Sequence, residues 1–254
     1  MKYNFNKSRS LSPELLAKLQ NTQALLRKEY LSPHQFPWII GFSGGKDSTV
    51  VAQLVFEMLI DLPPEERRRP IHIVSNDTLV ESPSVVEHLS LVQTQIADAA
   101  VAWRLPIQVA TTTPEVDDTF WVSLIGKGYP TPNRAFRWCT DRLKIRPTSK
   151  YVREQVSSSG QVILLLGVRR NESATRAVTV AKYDNGHHLH PHNDLNGCMV
   201  FRPILEFTTD QIWEFLACKY PPWGGTHGPL FDLYHNAGGG ECLLVTSLSD
   251  TPSC

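Results

Sequence analysis

The 254-residue sequence has no excess of charge of either sign, since 25 Lys and Arg residues are balanced by 25 Asp and Glu residues. Without an overall positive field, any binding of nucleic acid has to use a local patch. The chain also lacks an apolar run near the roughly 18 residues that indicate a membrane span. Its start, MKYNFNKSRS, lacks the apolar core of a signal peptide. We therefore expect a cytoplasmic protein with no membrane partner.

Cysteine is scarce, and its five positions are an odd number at wide spacings. With no export signal, that pattern argues against a disulfide framework. Cys198 and Cys218 lie in apolar or helical settings, which favours buried thiols. Cys139, Cys242 and Cys254 have polar or charged neighbours, where a thiolate is able to ligate iron or carry a persulfide.

Apolar runs alternate with amphipathic segments along most of the chain. The runs predict strands at 38–42, 71–75, 107–110 and 161–168. Helical spacing predicts helices near 12–30, 50–59, 84–103, 120, 147–157 and 208–220, the first and last opened by the capping signals Ser12-Pro13 and TTDQ. This alternation indicates βαβ units, so we expect an α/β fold with an open, mostly parallel twisted sheet and helices on both faces.

We divide the chain into three parts. Residues 1–35 hold an N-terminal helix, and residues 36–220 form the main α/β domain. Residues 221–254 start a cysteine-containing C-terminal region. Because that region ends in a glycine-rich, polar stretch without a capped helix, we expect it to be cut short at Cys254.

The stretch IIGFSGGKDSTVV, residues 39–51, places two glycines, a lysine and an aspartate between a predicted strand and a predicted helix. A glycine-rich turn in that position presents backbone N–H groups and the positive helix end to an anion, usually phosphate. It is not a Walker A loop, because three residues separate Gly41 from Gly45 and Asp47 follows Lys46. A turn chosen for geometry alone is the alternative, although such a turn does not need Ser, Lys and Asp together.

SGGKDS, residues 43–48, resembles the Ser-Gly-Gly-x-Asp-Ser signature of the ATP pyrophosphatases. The resemblance implies a PP-loop fold of the adenine nucleotide α-hydrolase type, with ATP and Mg²⁺ bound and cleaved between the α- and β-phosphates. It implies that Asp77, in SNDT, lies where that fold holds adenosine. The residues that would cradle the β- and γ-phosphates are Ser43, Gly44, Gly45, Lys46, Asp47 and Ser48.

Two further segments are similar to the phosphoadenosine phosphosulfate reductase branch of these proteins. GVRRNESATRA, residues 167–177, resembles its Gly-x-Arg-x-x-Glu-Ser-x-x-Arg-Ala stretch, and FRPILEFTTDQIWEFL, residues 201–216, its Arg-Pro-Ile…Trp segment. One departure is that ECLLV, near the end, lacks the glycine and histidine of the reductases' Glu-Cys-Gly-Leu-His nucleophile motif.

Within that branch, RWCTDRLKIRP (137–147), PPWGGTHGPLFDLY (221–234) and GGGEC followed by TPSC look most like the DndC-type sulfurtransferases of DNA phosphorothioation, although Leu243 replaces their usual proline. The resemblance implies replacement of a non-bridging oxygen of the DNA backbone by sulfur. It implies DNA, a sulfur-donating cysteine desulfurase and other phosphorothioation proteins as partners. It also implies a [4Fe–4S] cluster in the full-length protein, with Cys139, Cys242 and Cys254 as ligands. A phosphosulfate reductase-like oxidoreductase and a non-catalytic ATP-binding assembly subunit remain alternatives.

Arg169, Arg170 and Arg176 surround Glu172 just beyond the predicted strand 161–168. Ligands of open α/β sheets bind at the carboxyl ends of strands, so we expect these arginines and Lys46 to neutralise phosphate charge in the transition state. Pairing with Glu172 alone is the alternative. Asp47 is either a Mg²⁺ ligand or a carboxylate that stabilises the helix dipole, and the sequence leaves both open.

The segment from Arg134 to Arg153 is basic, and Asp141 is its lone acid. With Phe136 and Trp138 interleaved, it predicts a local surface for a polyanion such as DNA, the alternative being a solvated helix face. The histidines of HHLHPH, residues 187–192, have loop-like spacing and no second cluster. They favour a polar hairpin tip over a metal site.

Overall fold

The computed structural model describes residues 10–133, 136–170 and 187–236. These residues form a six-stranded sheet in the order β3-β2-β1-β4-β6-β5. Its strands are β1 (Trp38–Gly41), β2 (Ile71–Asn76), β3 (Ile107–Thr112), β4 (Val162–Leu165), β5 (Leu189–Pro191) and β6 (Cys198–Phe201). The pairings are parallel except between β5 and β6. The predicted α/β fold with an open, mostly parallel sheet is confirmed.

The helices follow the strands in the order that βαβ units require. They are α1 (Pro13–Tyr30), α2 (Lys46–Asp61), α3 (Pro83–Ala102), α4 (Trp138–Thr140), α5 (Arg146–Ser159), α6 (Thr209–Cys218) and α7 (Gly228–Asn236). Both predicted caps form, because Ser12 Oγ accepts from the Leu15 N–H at 3.4 Å and Thr208 and Gln211 make a reciprocal capping box. The sequence signals therefore set the starts of α1 and α6.

Side chains of the central strands alternate between two apolar layers, as the period of two in a strand requires. On one face Ile40 and Ile73 join a large core with α1, α2, α3, α6 and α7. On the other face Ile39 and Val74 pack with Val152 of α5. The sheet is therefore covered on both sides, and α1 and α7 share the core of the main domain.

Two local predictions differ from the structure in detail. The helix expected around Phe120 is short, because residues 120 and 121 are α-helical and lead into a π-type turn, Val122–Gly126, after a 3₁₀ turn, Val116–Asp118. The histidine run is not a hairpin tip, because His190 lies in β5 opposite Val200 of β6. Pro191 ends β5 at the edge of the sheet, the place where a strand tolerates proline.

The carboxyl ends of β1, β2 and β4 lie at one edge of the sheet. The chain reaches β2 on one side of β1 and β4 on the other, and such a reversal of strand order opens a crevice for ligands. Among the described residues, no helix combines the length and apolar character needed to cross a bilayer.

Candidate functional site

The loop from Ser43 to Ser48, here called the phosphate loop, joins β1 to α2 at that crevice. Gly44 has a φ of +73°, and a Cβ there would come within 3.2 Å of Leu89 Cδ1 on α3. Gly45 is the N-cap of α2. The turn therefore needs glycine at Gly44 for its left-handed backbone, and it aims the first N–H groups of α2 at the crevice.

The two serines of the phosphate loop hold it in shape. The Ser43 N–H donates to Ser48 Oγ at 3.2 Å, and the Ser48 hydroxyl donates to the Gly45 carbonyl oxygen at 3.0 Å. Ser43 Oγ accepts from the Gly45 N–H at 3.3 Å. These contacts fix the loop before any ligand binds, which lowers the ordering cost of binding an anion.

Lys46 opens α2, and its side chain is nearly buried between Asp47 and Tyr234. Its Nζ lies 3.1 Å from Asp47 Oδ2 and 5.0 Å from the centroid of the Tyr234 ring. The Tyr234 hydroxyl accepts from the Lys46 backbone N–H at 3.3 Å. A Cβ at Gly45 would lie 3.1 Å from that hydroxyl. Tyr234 thus forms one wall of the phosphate loop. The sequence motifs did not predict this role for Tyr234, although it lies in the PPWGGTHGPLFDLY segment.

Arg169 reaches the phosphate loop from the segment that follows β4. Its Nε donates to Asp47 Oδ1 at 2.6 Å, and its Nη1 donates to Thr209 Oγ1 of α6 at 2.9 Å. The side chain of Arg169 is 3% exposed and that of Asp47 is 13% exposed. This buried ion pair ties β4 and α6 to the first turn of α2.

These contacts bear on the predicted Mg²⁺ ligand. Both oxygens of the Asp47 carboxylate already face a cation, and the described residues contain no group of three or more His, Cys, Asp or Glu side chains able to hold a metal. The described residues therefore do not fit a resident magnesium site. Mg²⁺ usually binds through substrate phosphates and one or two carboxylates, so Asp47 as its ligand stays a prediction.

Gly167 permits the close approach of the segment after β4 to α2. A Cβ at this position would lie 2.8 Å from the Asp47 carbonyl carbon and 2.9 Å from the Ser48 nitrogen. Real Cβ atoms do not come so near backbone atoms, so any larger residue has to push the two segments apart. Glycine at position 167 is therefore what allows Arg169 to reach Asp47.

We expect Gly167→Ala to lower the free energy of unfolding by about 1–3 kcal/mol, the usual cost of overpacking, and to weaken ATP binding. Gly126→Ala is the matched control, because a Cβ there meets Val122 at an ordinary 3.7 Å. Urea unfolding and ATP titration of both variants measure the two effects. Equal stability of the two variants would contradict the close approach.

The other predicted arginines are not both placed at the loop by the described contacts. Arg170 forms an ion pair with Glu206, its Nη2 lying 2.7 Å from Glu206 Oε1. Arg176 lies outside the described residues. Of the predicted set, the structure thus brings Arg169 and Lys46 together on Asp47.

Asp77 follows β2 at the same edge of the sheet as the phosphate loop. Its backbone N–H donates to the Thr112 carbonyl oxygen at 2.9 Å, and its carboxylate accepts from the Leu79 N–H at 2.8 Å. Leu79 has a φ of +62°, a strained backbone that this hydrogen bond supports. The expected contact of Asp77 with adenosine stays a prediction.

Two neutral histidines lie behind the phosphate loop. His227 Nε2 lies 2.9 Å from Gln53 Oε1 of α2, and burial, with the nearby imidazole of His88, lowers the pKa of His227 to about 4. Burial also lowers the pKa of His88, against a hydrogen bond with the Gly44 backbone that raises it. Both rings are uncharged at pH 7, so they support the loop without adding positive charge.

Cys139 is the member of the predicted iron-ligand set that lies within the described residues, since Cys242 and Cys254 lie outside them. It is 7% exposed and packs with Phe120, Trp138 and Leu143. One buried thiol does not make a cluster site, so the [4Fe–4S] ligands stay a prediction. Cys198 is buried, as expected for a core thiol, and burial raises its pKa to about 11. Cys218 is half-buried.

The basic segment from Arg134 to Arg153 is less positive than its sequence indicates. Arg142 and Arg146 both pair with Asp118. Lys144 pairs with Glu81 at 3.2 Å and Lys150 with Glu115 at 2.6 Å. The acids come from segments distant in sequence, so Asp141 is not the lone counter-charge.

Fold and site together define an α/β protein with a phosphate-binding loop at the switch point of a parallel sheet. A sequence profile of the phosphoadenosine phosphosulfate reductase domain matches residues 37–222. The chain belongs to that family, whose members act on nucleotides or sulfur.

Known proteins resemble the chain at low sequence identity. An uncharacterised protein of Methanocaldococcus jannaschii is 24% identical over 196 residues, which are 77% of this chain and 34% of the relative. The chain thus spans about a third of that relative's length.

Among solved structures, the phosphoadenylyl-sulfate reductase of Candida auris, a phosphate complex, matches with a TM-score of 0.50 and 15% identity over 96% of this chain and 99% of the reductase. The U34-tRNA thiolase NcsA of Methanococcus maripaludis, with its [4Fe–4S] cluster, matches with a TM-score of 0.48 and 16% identity over 87% and 73% of the two chains. At such identities the reductase match shows a common fold.

Proposed function

We propose that this protein is an ATP pyrophosphatase that adenylates a DNA backbone phosphate so that sulfur replaces one of its non-bridging oxygens. The observation that carries the proposal is the phosphate loop, where Lys46 and the Arg169–Asp47 pair meet at the N-terminus of α2. Membership of a family that acts on nucleotides or sulfur supports the general class. The DndC-type segments support the choice of DNA.

The proposed reaction has two transfers. A non-bridging oxygen of a DNA phosphodiester attacks the α-phosphorus of ATP, and the bond to the β-phosphate oxygen breaks with release of pyrophosphate. The terminal sulfur of a persulfide, supplied by a cysteine desulfurase, then attacks the DNA phosphorus and displaces AMP. A second thiol cleaves the remaining S–S bond, which leaves the phosphorothioate and a disulfide.

The residues of the loop act mainly by holding charge. Lys46 and the backbone N–H groups of α2 stabilise the negative charge that builds on the departing pyrophosphate. Arg169 fixes the position of Asp47 beside them. Phosphoryl transfer depends on such positioning and charge neutralisation more than on a general base. Mg²⁺ entering with ATP would neutralise part of the phosphate charge.

The test is to incubate the protein with Mg²⁺, ATP and duplex DNA, with a cysteine desulfurase and cysteine as the sulfur source. We expect pyrophosphate release and, in nuclease digests analysed by mass spectrometry, phosphorothioate linkages in comparable amounts. Intact ATP binding without pyrophosphate release would instead indicate a non-catalytic assembly subunit.

A phosphosulfate reductase is the second candidate, favoured by the family profile and by the full-length match to the Candida auris fold. That reaction needs a thiol nucleophile and does not split ATP. Release of sulfite from phosphoadenosine phosphosulfate with thioredoxin, without pyrophosphate formation from ATP, would identify it and contradict our proposal.

Several basic residues of the segment from Arg134 to Arg153 already form ion pairs. We therefore expect DNA to contact the basic residues of this segment that form none. Arg137 and Arg153 are exposed and make no ion pair with the described residues. We expect the Arg137→Gln/Arg153→Gln double variant to weaken DNA binding for all sequences and to reduce the salt slope by about one per lost contact.

Lys144→Gln is the matched control for that measurement, because Lys144 already pairs with Glu81. We expect a smaller change in its salt slope and unchanged ATP binding in all variants. A double variant with the wild-type slope would remove these arginines from the DNA interface.

A further inference from the structure

A second cavity, of about 380 Å³, lies beside α1 at the carboxyl end of β6. None of its lining residues belongs to the phosphate loop. Because β6 is two strands away from β1, these two strands are roughly 10 Å apart across the sheet. The volume falls in the range of small-molecule sites, about 300–1,000 Å³.

The lining of this cavity combines apolar side chains with charged ones of both signs, since Glu206 belongs to it as well as the basic residues. Phe201, Phe207 and Leu25 contribute the apolar surface, and Thr22 and Asn21 of α1 line it as well. Besides Arg202, five basic side chains line it, namely Lys18, Arg170, His187, His188 and His190. Lys18, Arg170 and His188 have carboxylate partners, in the order Glu14, Glu206 and Glu29.

Arg202 differs from Lys18, Arg170 and His188 in having no carboxylate partner among the described residues. It is half-buried, and its guanidinium makes no hydrogen bond or ion pair with any residue in the described parts of the chain. Burial lowers the pKa of Arg202 without any carboxylate to offset it. A guanidinium in this setting has its donors available to an anion, and it binds carboxylate or phosphate through two parallel hydrogen bonds.

We propose that this cavity, the Arg202 cavity, binds a small organic anion whose charged head contacts Arg202 and whose apolar body contacts Phe201 and Phe207. The head is a carboxylate or a phosphate monoester, the two groups that match the guanidinium fork. The site is separate from the phosphate loop, and its occupation does not depend on the reaction proposed above.

Binding of benzoate and of phenyl phosphate, measured by calorimetry on the whole chain, tests the proposal and separates the two head groups. We expect at least one probe to bind the wild-type protein, and Arg202→Gln to weaken it about tenfold to a hundredfold, the usual effect of losing a charged hydrogen bond. Since Arg202 has no described partner, its replacement leaves no buried carboxylate behind.

Two further variants make the result specific. Asn21→Asp adds a negative charge on the exposed side of the cavity and is expected to weaken the same probe even if Arg202→Gln fails to fold. Lys46→Met should leave the affinity for the probe unchanged. Loss of binding in Lys46→Met with retention in Arg202→Gln would assign the probe to the phosphate loop. That result, or no binding of either probe at millimolar concentration, overturns the proposal.

Discussion

Replacing Lys46 with methionine or alanine is expected to slow pyrophosphate release by about 10²–10³-fold, the usual cost of removing one preorganised charge-stabilising donor. The ammonium group lies beside the first turn of α2, 3.1 Å from Asp47 and over the Tyr234 ring. It is therefore held near the place where the leaving phosphates gain charge. Single-turnover release of pyrophosphate with DNA present is the measurement.

Two variants are needed at position 46 because the side chain is only 6% exposed. Methionine fills most of the space without the charge, whereas alanine leaves a gap beside Tyr234. Lys28→Ala, at an exposed position of α1, controls for the loss of one positive charge. Wild-type release by a folded Lys46→Met protein would remove Lys46 from the mechanism.

The parts of the fold that the sequence predicted are those with local signals. β1, the glycine turn and α2 follow one another within 39–51, and each has its own pattern of apolar or glycine residues. The caps at Ser12 and Thr208 are likewise short-range hydrogen bonds. Local signals of this kind can be recognised without any knowledge of the tertiary structure.

The contacts that complete the site could not be predicted from local signals, because they join segments that are distant in the sequence. Tyr234 meets Lys46 across 188 positions of the chain, and the conformation of α7 decides that contact. In the sequence, Gly167 is one residue of a motif. The structure shows that glycine is needed there because the segment after β4 packs too closely on α2 for a Cβ. The charge count of the basic segment failed in the same way, since Asp118 and Glu115 pair with it from another part of the sequence.

The Asp47–Arg169 pair gives the second large expected effect, this time on stability. Asp47→Asn should lower the free energy of unfolding by about 3–5 kcal/mol, because it leaves a nearly buried guanidinium without its carboxylate. Arg169→Met should cost less, since Lys46 still pairs with Asp47. The double variant Asp47→Asn/Arg169→Met removes both members of the pair and should recover part of the loss, while the nearly buried Lys46 ammonium still lacks Asp47. Urea unfolding measures all four proteins.

Pyrophosphate release by the same four proteins separates a structural from a functional role of the pair. If Arg169 and Asp47 served stability alone, the double variant would regain activity together with its fold. We expect it to regain part of its stability while its pyrophosphate release stays at least about 10²-fold below wild type, because neither the guanidinium nor the carboxylate remains to orient the first turn of α2 toward the phosphates. Recovery of both properties would therefore leave Lys46 and the loop amides as the groups that carry the charge.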